Sequence, residues 1–184
     1  MLEIFPWTSV FHGRLNYKFY TMQNTGQDRD GEYLVGIISD THGLVRPEAV
    51  SALRGVRLII HAGDVGNADV LEKLQAIAPV IAVRGNTDRG GWAFDLPQTE
   101  VAGIGGSSLY ILHDIHDLDL DPVASGFSAV ISGHSHKPFT ERRNGVLFLN
   151  PGSAGPRRFN LPVTVALLRI KGRSLEPHII ELEV

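Results

Sequence analysis

Cysteine is missing from this sequence of 184 residues, so neither a disulfide nor a thiolate metal site can be built from it. Also missing is any run near the roughly 18 apolar residues that a membrane-spanning helix needs. The N-terminus has neither the charged start nor the long apolar segment of a secretory signal. Excess charge of one sign is lacking too: 17 Lys and Arg stand against 20 Asp and Glu, a formal −3. That balance argues against capture of nucleic acid by a broad basic face, although Arg142, Arg143, Arg157 and Arg158 leave room for a local patch. These absences predict a cytoplasmic protein with neither membrane nor nucleic acid as partner; homo-oligomerisation is left open. The length is sufficient to bury a core without disulfides and is most simply one domain.

Methionine is scarce as well, at Met1 and Met22 only. Residues 1–22 carry scattered aromatics without a period, and residues 23–32 read as a polar linker. The expected organisation is an N-terminal arm over residues 1–32, followed by a domain over residues 33–184. The arm is either disordered, a partner-binding tail, or an upstream extension of a chain whose natural start is Met22.

From Tyr33 the pattern is regular. Residues 34–39 form a short apolar run suited to a buried strand. Residues 47–53 predict a helix opened by Pro47 and ended by Gly55, and residues 57–61 a second strand. Residues 67–77 predict an amphipathic helix with Val70, Leu71, Leu74 and Ile77 on one face, and residues 79–83 a third strand. Strand-then-helix steps imply a parallel sheet with crossover helices. The second half predicts a hairpin of residues 99–102 and 108–112, a short helix near 122–125 and a strand at 129–132. Residues 139–143 and 146–150 flank Asn144-Gly145, a strong hairpin turn. Residues 163–170 and 178–182 are joined through Lys171-Gly172-Arg173. Two sheets packed face to face, with helices outside, are expected.

Polar residues recur just past these strands: Asp40-Thr41-His42, Gly63-Asp64, Gly85-Asn86-Thr87-Asp88, His113 and Gly133-His134-Ser135-His136. Taken singly, Asp40, Asp64 and Asn86 would serve turns or caps, and the histidines would be surface or packed groups. Together Asp40, His42, Asp64, Asn86, His113, His134 and His136 offer only oxygen and imidazole nitrogen. That set suits two hard-to-borderline divalent cations sharing a carboxylate, and so metal-dependent phosphoester hydrolysis. In open α/β sheets, residues past the carboxyl ends of strands share one rim.

The ordered series resembles the calcineurin-like metallophosphoesterase superfamily. Ser39-Asp40-Thr41-His42-Gly43, Gly85-Asn86-x-Asp88 and Asn150-Pro151-Gly152-Ser153 favour its small bacterial and archaeal phosphodiesterases. The resemblance covers residues 34–184 and implies a four-layer α/β/β/α sandwich of two mixed sheets with flanking helices. It implies a first metal on Asp40, His42, Asp64 and His136, and a second on Asp64, Asn86, His113 and His134. Manganese is expected, with iron, nickel or zinc as alternatives. The implied reaction is attack on a small phosphodiester by a hydroxide bridging the metals, with Asn86, Asp88 and His113 as catalytic candidates. Two dications, two carboxylates and a hydroxide leave one positive charge, which a diester monoanion neutralises.

The chain departs from that pattern in two places. Thr87 stands where larger relatives carry a histidine proposed as acid, and Asp114 where many carry glycine. Asp88 is then expected to orient a ligand or water, His116 is a candidate proton donor, and esters with acidic leaving groups should react fastest. His61 is either an orienting or a packed residue. Asp114, Asp117, Asp119 and Asp121 form a solvated loop that would repel polyanions if it lay beside the cleft. The loop at Asn150 would contact phosphate, and Arg157 and Arg158 would steer anions. His12 and His178 have no assigned role. The alternatives are a phosphomonoesterase or nucleotidase, and a non-catalytic scaffold like the related retromer subunit.

Overall fold

Hydrophobic alternation divides the strands between two interiors, and this sets the architecture of the computed structural model, which describes residues 19–21 and 31–184. In β2 (Glu32–Ile38) Val35 and Ile37 point one way and Leu34 and Ile38 the other. The first pair joins a core shared by both sheets, and the second packs under two helices. Gly36 faces the helices, where a Cβ would collide with Leu53.

One sheet has the order β11-β10-β2-β3-β4, with β3 (Leu58–His61), β4 (Val80–Ala82), β10 (Thr164–Lys171) and β11 (Ser174–Glu181). Strands β2, β3 and β4 run parallel, and β10 is antiparallel to both neighbours. The other sheet has the order β1-β5-β6-β7-β9-β8. It contains β1 (Phe19–Thr21), β5 (Thr99–Ile104), β6 (Ser107–Leu112), β7 (Ala129–Ile131), β8 (Phe139–Arg143) and β9 (Val146–Asn150). It too is mixed, with β6, β7 and β9 parallel.

Helices α1 (Pro47–Ala52) and α2 (Ala68–Gln75) cover the outer face of the first sheet. Asn67 caps α2 by accepting from the Val70 amide, Asp69 and Lys73 complement its dipole, and Val70 and Leu74 are buried. Burying each such side chain contributes about 1.5–3 kcal/mol. Over the second sheet the outer layer is thin. There Ile115, Leu118, Leu120 and Phe127, from a 3₁₀ turn (Ile115–Asp117) and the loop after it, cover Val101, Tyr110 and Leu112.

The strands from β2 onward and both crossover helices stand where the sequence placed them, except that the last strand begins at Ser174 and not at residue 178, and the α/β sandwich holds. The helix expected near residues 122–125 is instead a turn. Asp121 accepts from the Val123 and Ala124 amides, and Gly126 at positive φ ends the segment before a helix can nucleate. The short α3 (Gly91–Phe94) and the pairing of β1 with β5 were not expected. The proposed arm and the Met22 start fall, apart from Phe19–Thr21 and residues 31–32, outside the described residues, as does His12.

Candidate metal centre

Strands β2, β3, β4, β6 and β7 end at one rim, and the seven polar side chains named from the sequence meet there. Asp40 and His42 follow β2, Asp64 follows β3, Asn86 follows β4, His113 follows β6, and His134 and His136 follow β7. To turn the side chains inward, the backbone adopts left-handed conformations at five of them: Asp40, His42, Asp64, His134 and His136 have φ between 46° and 67°. The loops are then locked together. The Asp40 amide donates to Gly63 O, the His42 amide to Asp64 O, and the Gly133 amide to His113 O.

The donor atoms form two groups. In the first, His42 Nε2 and His136 Nε2 lie 3.4 Å apart and Asp40 Oδ1 is 3.2 Å from His136 Nε2. In the second, Asn86 Oδ1 is 3.1 Å from both His113 Nε2 and His134 Nδ1. Asp64 Oδ2 belongs to both, 3.8 Å from His42 Nε2 and 3.5 Å from His113 Nε2. Its Oδ1 is taken by the Thr87 amide at 2.8 Å, so a single oxygen, not one for each group, faces the two sets. Asp40, Asp64, His113 and His136 are buried, whereas Asn86 and His134 are exposed. The centre therefore opens on the second group's side.

Electrostatics favour a cation in these positions. Burial opposes the charge on Asp64, but hydrogen bonds from His113 and the Thr87 amide outweigh it and hold the carboxyl well below its usual range. His113 Nδ1–H donates to Ala62 O at 2.7 Å, which leaves Nε2 facing the Asp64 and Asn86 oxygens. Burial lowers the His113 pKa, yet the Asp64 bond, the Ala62 carbonyl and the nearby carboxylates raise it overall. Something positive, a proton or a metal ion, must stand at Nε2. His42 is shifted the other way, by burial first and then by Arg158 and His136, against the pull of Asp64 and Asp40. Its neutral Nε2 confronts that of His136. Among the described residues, Asp40 Oδ1 is buried without a hydrogen-bond partner. Such an orphaned carboxylate oxygen among convergent imidazoles fits a metal ion. The triads Asp40–His42–His136 and Asp40–Asp64–His113 each bring their ligand atoms within 4.8 Å of one another.

The supporting residues take more specific roles than the sequence conveyed. Asp88 accepts from the Gly66 and Gly85 amides, each at 2.8 Å, and so ties the Asp64 and Asn86 loops together. Asn150 is buried and consumed within the fold, donating to Gly133 O and Ser135 Oγ and accepting from the Gly152 amide; it is not presented to a phosphate. Ser153 Oγ donates to Asp40 O. His61 is fully buried. Its Nδ1 accepts from the Gly63 amide, and its Nε2–H donates to Thr41 Oγ1, which in turn donates to Val65 O. It thus fixes both acidic loops, and burial depresses its pKa to about 4.

A cleft of about 540 Å³ opens beside the second group, lined by Asn86, His113 and His134 and by Asp114, Asp117 and Asp119. The acidic run therefore does lie beside the cleft, except for Asp121, which caps its own turn. His116 does not line it; its Nδ1 is 2.8 Å from Asp114 Oδ1. The two arginines part: Arg158 Nη2 reaches His42 Nε2 at 3.2 Å, whereas Arg157 points to Val184 O.

Comparison with known proteins accords with this geometry. The model of the calcineurin-like phosphoesterase superfamily domain matches residues 33–173. A probable metallophosphoesterase of Methanothermobacter thermautotrophicus is 38% identical over 159 residues, which make up 80% of this chain and 91% of that protein. Two solved structures share the fold. An archaeal phosphodiesterase has a TM-score of 0.67 at 23% identity, covering 80% of this chain and 99% of that one. Vps29 of Entamoeba histolytica, solved with zinc, has a TM-score of 0.64 at 24% identity, covering 82% and 99%. Because the match takes in every strand that delivers a ligand-type side chain to the rim, and a 38% identical relative spans most of the chain, the chain belongs to the calcineurin-like phosphoesterase superfamily.

Proposed function

We propose that the chain is a dinuclear-metal phosphodiesterase acting on small phosphodiesters, with its catalytic domain at residues 33–184. One observation carries the reading: two groups of nitrogen and oxygen donors meet at a shared Asp64 Oδ2. Asp40, His42, Asp64 and His136 would hold one divalent cation, and Asp64, Asn86, His113 and His134 the other. When bound, the cations supply Lewis acidity, which lowers the pKa of water and neutralises charge on phosphoryl oxygens. The donor set admits manganese first, then iron, nickel or zinc.

The protein's own groups shape the reaction around that centre. His42 Nε2 cannot both accept from Arg158 and ligate a cation; with His42 holding a cation, the Arg158 guanidinium would be free to hold a phosphoryl oxygen at the rim. The carboxylates of Asp114, Asp117 and Asp119 disfavour dianionic monoesters and polyanions, which supports a diester over a monoester or nucleotide. Neither Thr87 nor His116 offers the cleft a leaving-group acid. Turnover should therefore depend steeply on how acidic the leaving alcohol is. The archaeal phosphodiesterase of the same fold supports this choice.

The test is hydrolysis of bis(p-nitrophenyl) phosphate and p-nitrophenyl phosphate by metal-stripped protein, with and without manganese. Manganese-restored cleavage that prefers the diester is the expected result. Preference for the monoester would shift the reading to a phosphomonoesterase. Cleavage of neither ester by folded, manganese-loaded protein would shift it to a non-catalytic scaffold of the same fold.

A further inference from the structure

His134 is the least secured of the seven side chains. It stands in a left-handed turn with its side chain 42% exposed, and among the described residues its ring packs edge-on against His113. An imidazole in that setting must be held in one orientation and one tautomer if it is to ligate. Its Nδ1 faces Asn86 Oδ1 at 3.1 Å, but both atoms would turn to the same cation, so neither can anchor the other. At its Nε2, 3.4 Å away, is Asp114 Oδ2.

Asp114 is itself fixed. It follows His113 at the end of β6 and caps the 3₁₀ turn, with Oδ1 accepting from the His116 amide at 3.0 Å and lying 2.8 Å from His116 Nδ1. One carboxylate thus joins two histidines: Oδ1 to the exposed His116, and Oδ2 to His134.

We propose that Asp114 is a positioning residue for the second cation, accepting Nε2–H of His134 so that the neutral ring turns its Nδ1 lone pair inward, with His116 as the clamp that holds Asp114. The inference rests on the two-cation reading above. A carboxylate behind a ligating imidazole fixes its tautomer and raises its basicity, and losing such a partner typically weakens metal affinity about 10–100-fold. It also gives His116 a role that its exposure would otherwise hide: it acts through Asp114 and not as a proton donor in the cleft. Asp114 lies outside the hydrophobic clusters, and asparagine keeps a side-chain oxygen to cap the 3₁₀ turn, so D114N is compatible with folding.

The experiment is calorimetric titration of manganese into metal-free wild type, D114N and H116A, with the second binding class identified as the one abolished by Asn86→Ala. In parallel, nitrogen-15 NMR of the zinc-loaded, diamagnetic protein reads the Nε2–H of the His134 ring. The expected result is two classes in wild type, with the second weakened about 10–100-fold in D114N and by a smaller factor in H116A. The first class should stay within about twofold, and the His134 Nε2–H should shift and exchange faster with water in D114N. A single class in wild type would sink the two-cation reading and this proposal with it. Two classes in wild type, with both affinities and the ring shifts unchanged in D114N, would sink this proposal alone.

Discussion

Asp40, His42, Asp64, His134 and His136 share a left-handed backbone, where a side chain with a Cβ costs of order 1–3 kcal/mol. The sharp inward turns they make bring donors from separate loops together, so the strain belongs to the site and not to the stability of the fold. His42→Gly tests this directly. Glycine takes the φ of 46° without penalty. The metal-free variant should therefore hold its urea midpoint or gain up to about 1 kcal/mol, while diester turnover falls at least about 100-fold. Loss of stability together with activity would mean that the ring serves the fold. His61 works in the opposite sense, as a buried neutral group whose two nitrogens are both used. Its folded pKa of about 4 lies below the unfolded value near 6.5, so the unfolded chain binds the extra proton between those pH values. Its contribution is complete above pH 6.5 and is lost as pH falls toward 4, a total of up to about 3 kcal/mol. His113, with its raised pKa, acts with the opposite sign, so the comparison must be differential. Metal-free wild type should lose more stability than His61→Gln between pH 6.5 and 4.5 in urea titrations. Parallel curves would refute the assignment.

Glycines at the strand ends let the loops close on one another. A Cβ at Gly85 would fall on the Asp64 amide and Oδ1, and one at Gly133 on Ser39 Oγ, the hydroxyl that donates to Asp40 Oδ2. These loops cannot be spread without moving the acids, because Asp88 and Asn150 tie them at both sides. Gly85→Ala should therefore weaken manganese affinity at least about tenfold, as the loss of a supporting contact does, even where the helices remain. Calorimetry alongside far-ultraviolet circular dichroism would measure both, and unchanged affinity would show that the rim tolerates the displacement. The helices are more independent: Asn67→Ala removes the cap of α2 at a cost of about 1 kcal/mol, read by urea denaturation.

Across the whole molecule, two mixed sheets fold over one shared core and leave a cluster of carboxylates and imidazoles at the rim. Without cations that cluster holds ionised Asp64 beside the orphaned oxygen of Asp40. Cations that bind only the folded state add stability by mass action, about 2.7 kcal/mol at a hundredfold excess over Kd. That corresponds to a rise of roughly 5–10 °C in Tm for a chain of this size. Thermal unfolding with a chelator and with added manganese measures it. Coincident curves would mean that no cation binds the native centre.

The sequence by itself determined the strands from β2 onward, the crossover helices and all seven side chains at the rim. Apolar runs declare buried strands locally, and acids and histidines past their ends stand out against them. It could not determine how those groups are partnered. That Asp64 shares one oxygen while Thr87 takes the other, that Asp88 and Asn150 spend themselves on backbone, and that Asp114 reaches His134 depend on contacts between loops distant in the chain. The same is true of His61, whose burial and bonds give it a purpose that a lone histidine in a strand does not announce. Side-chain identity and local period are written along the chain, but which of a polar group's few hydrogen-bonding directions is satisfied, and by whom, is decided only when the sheets close and water is excluded.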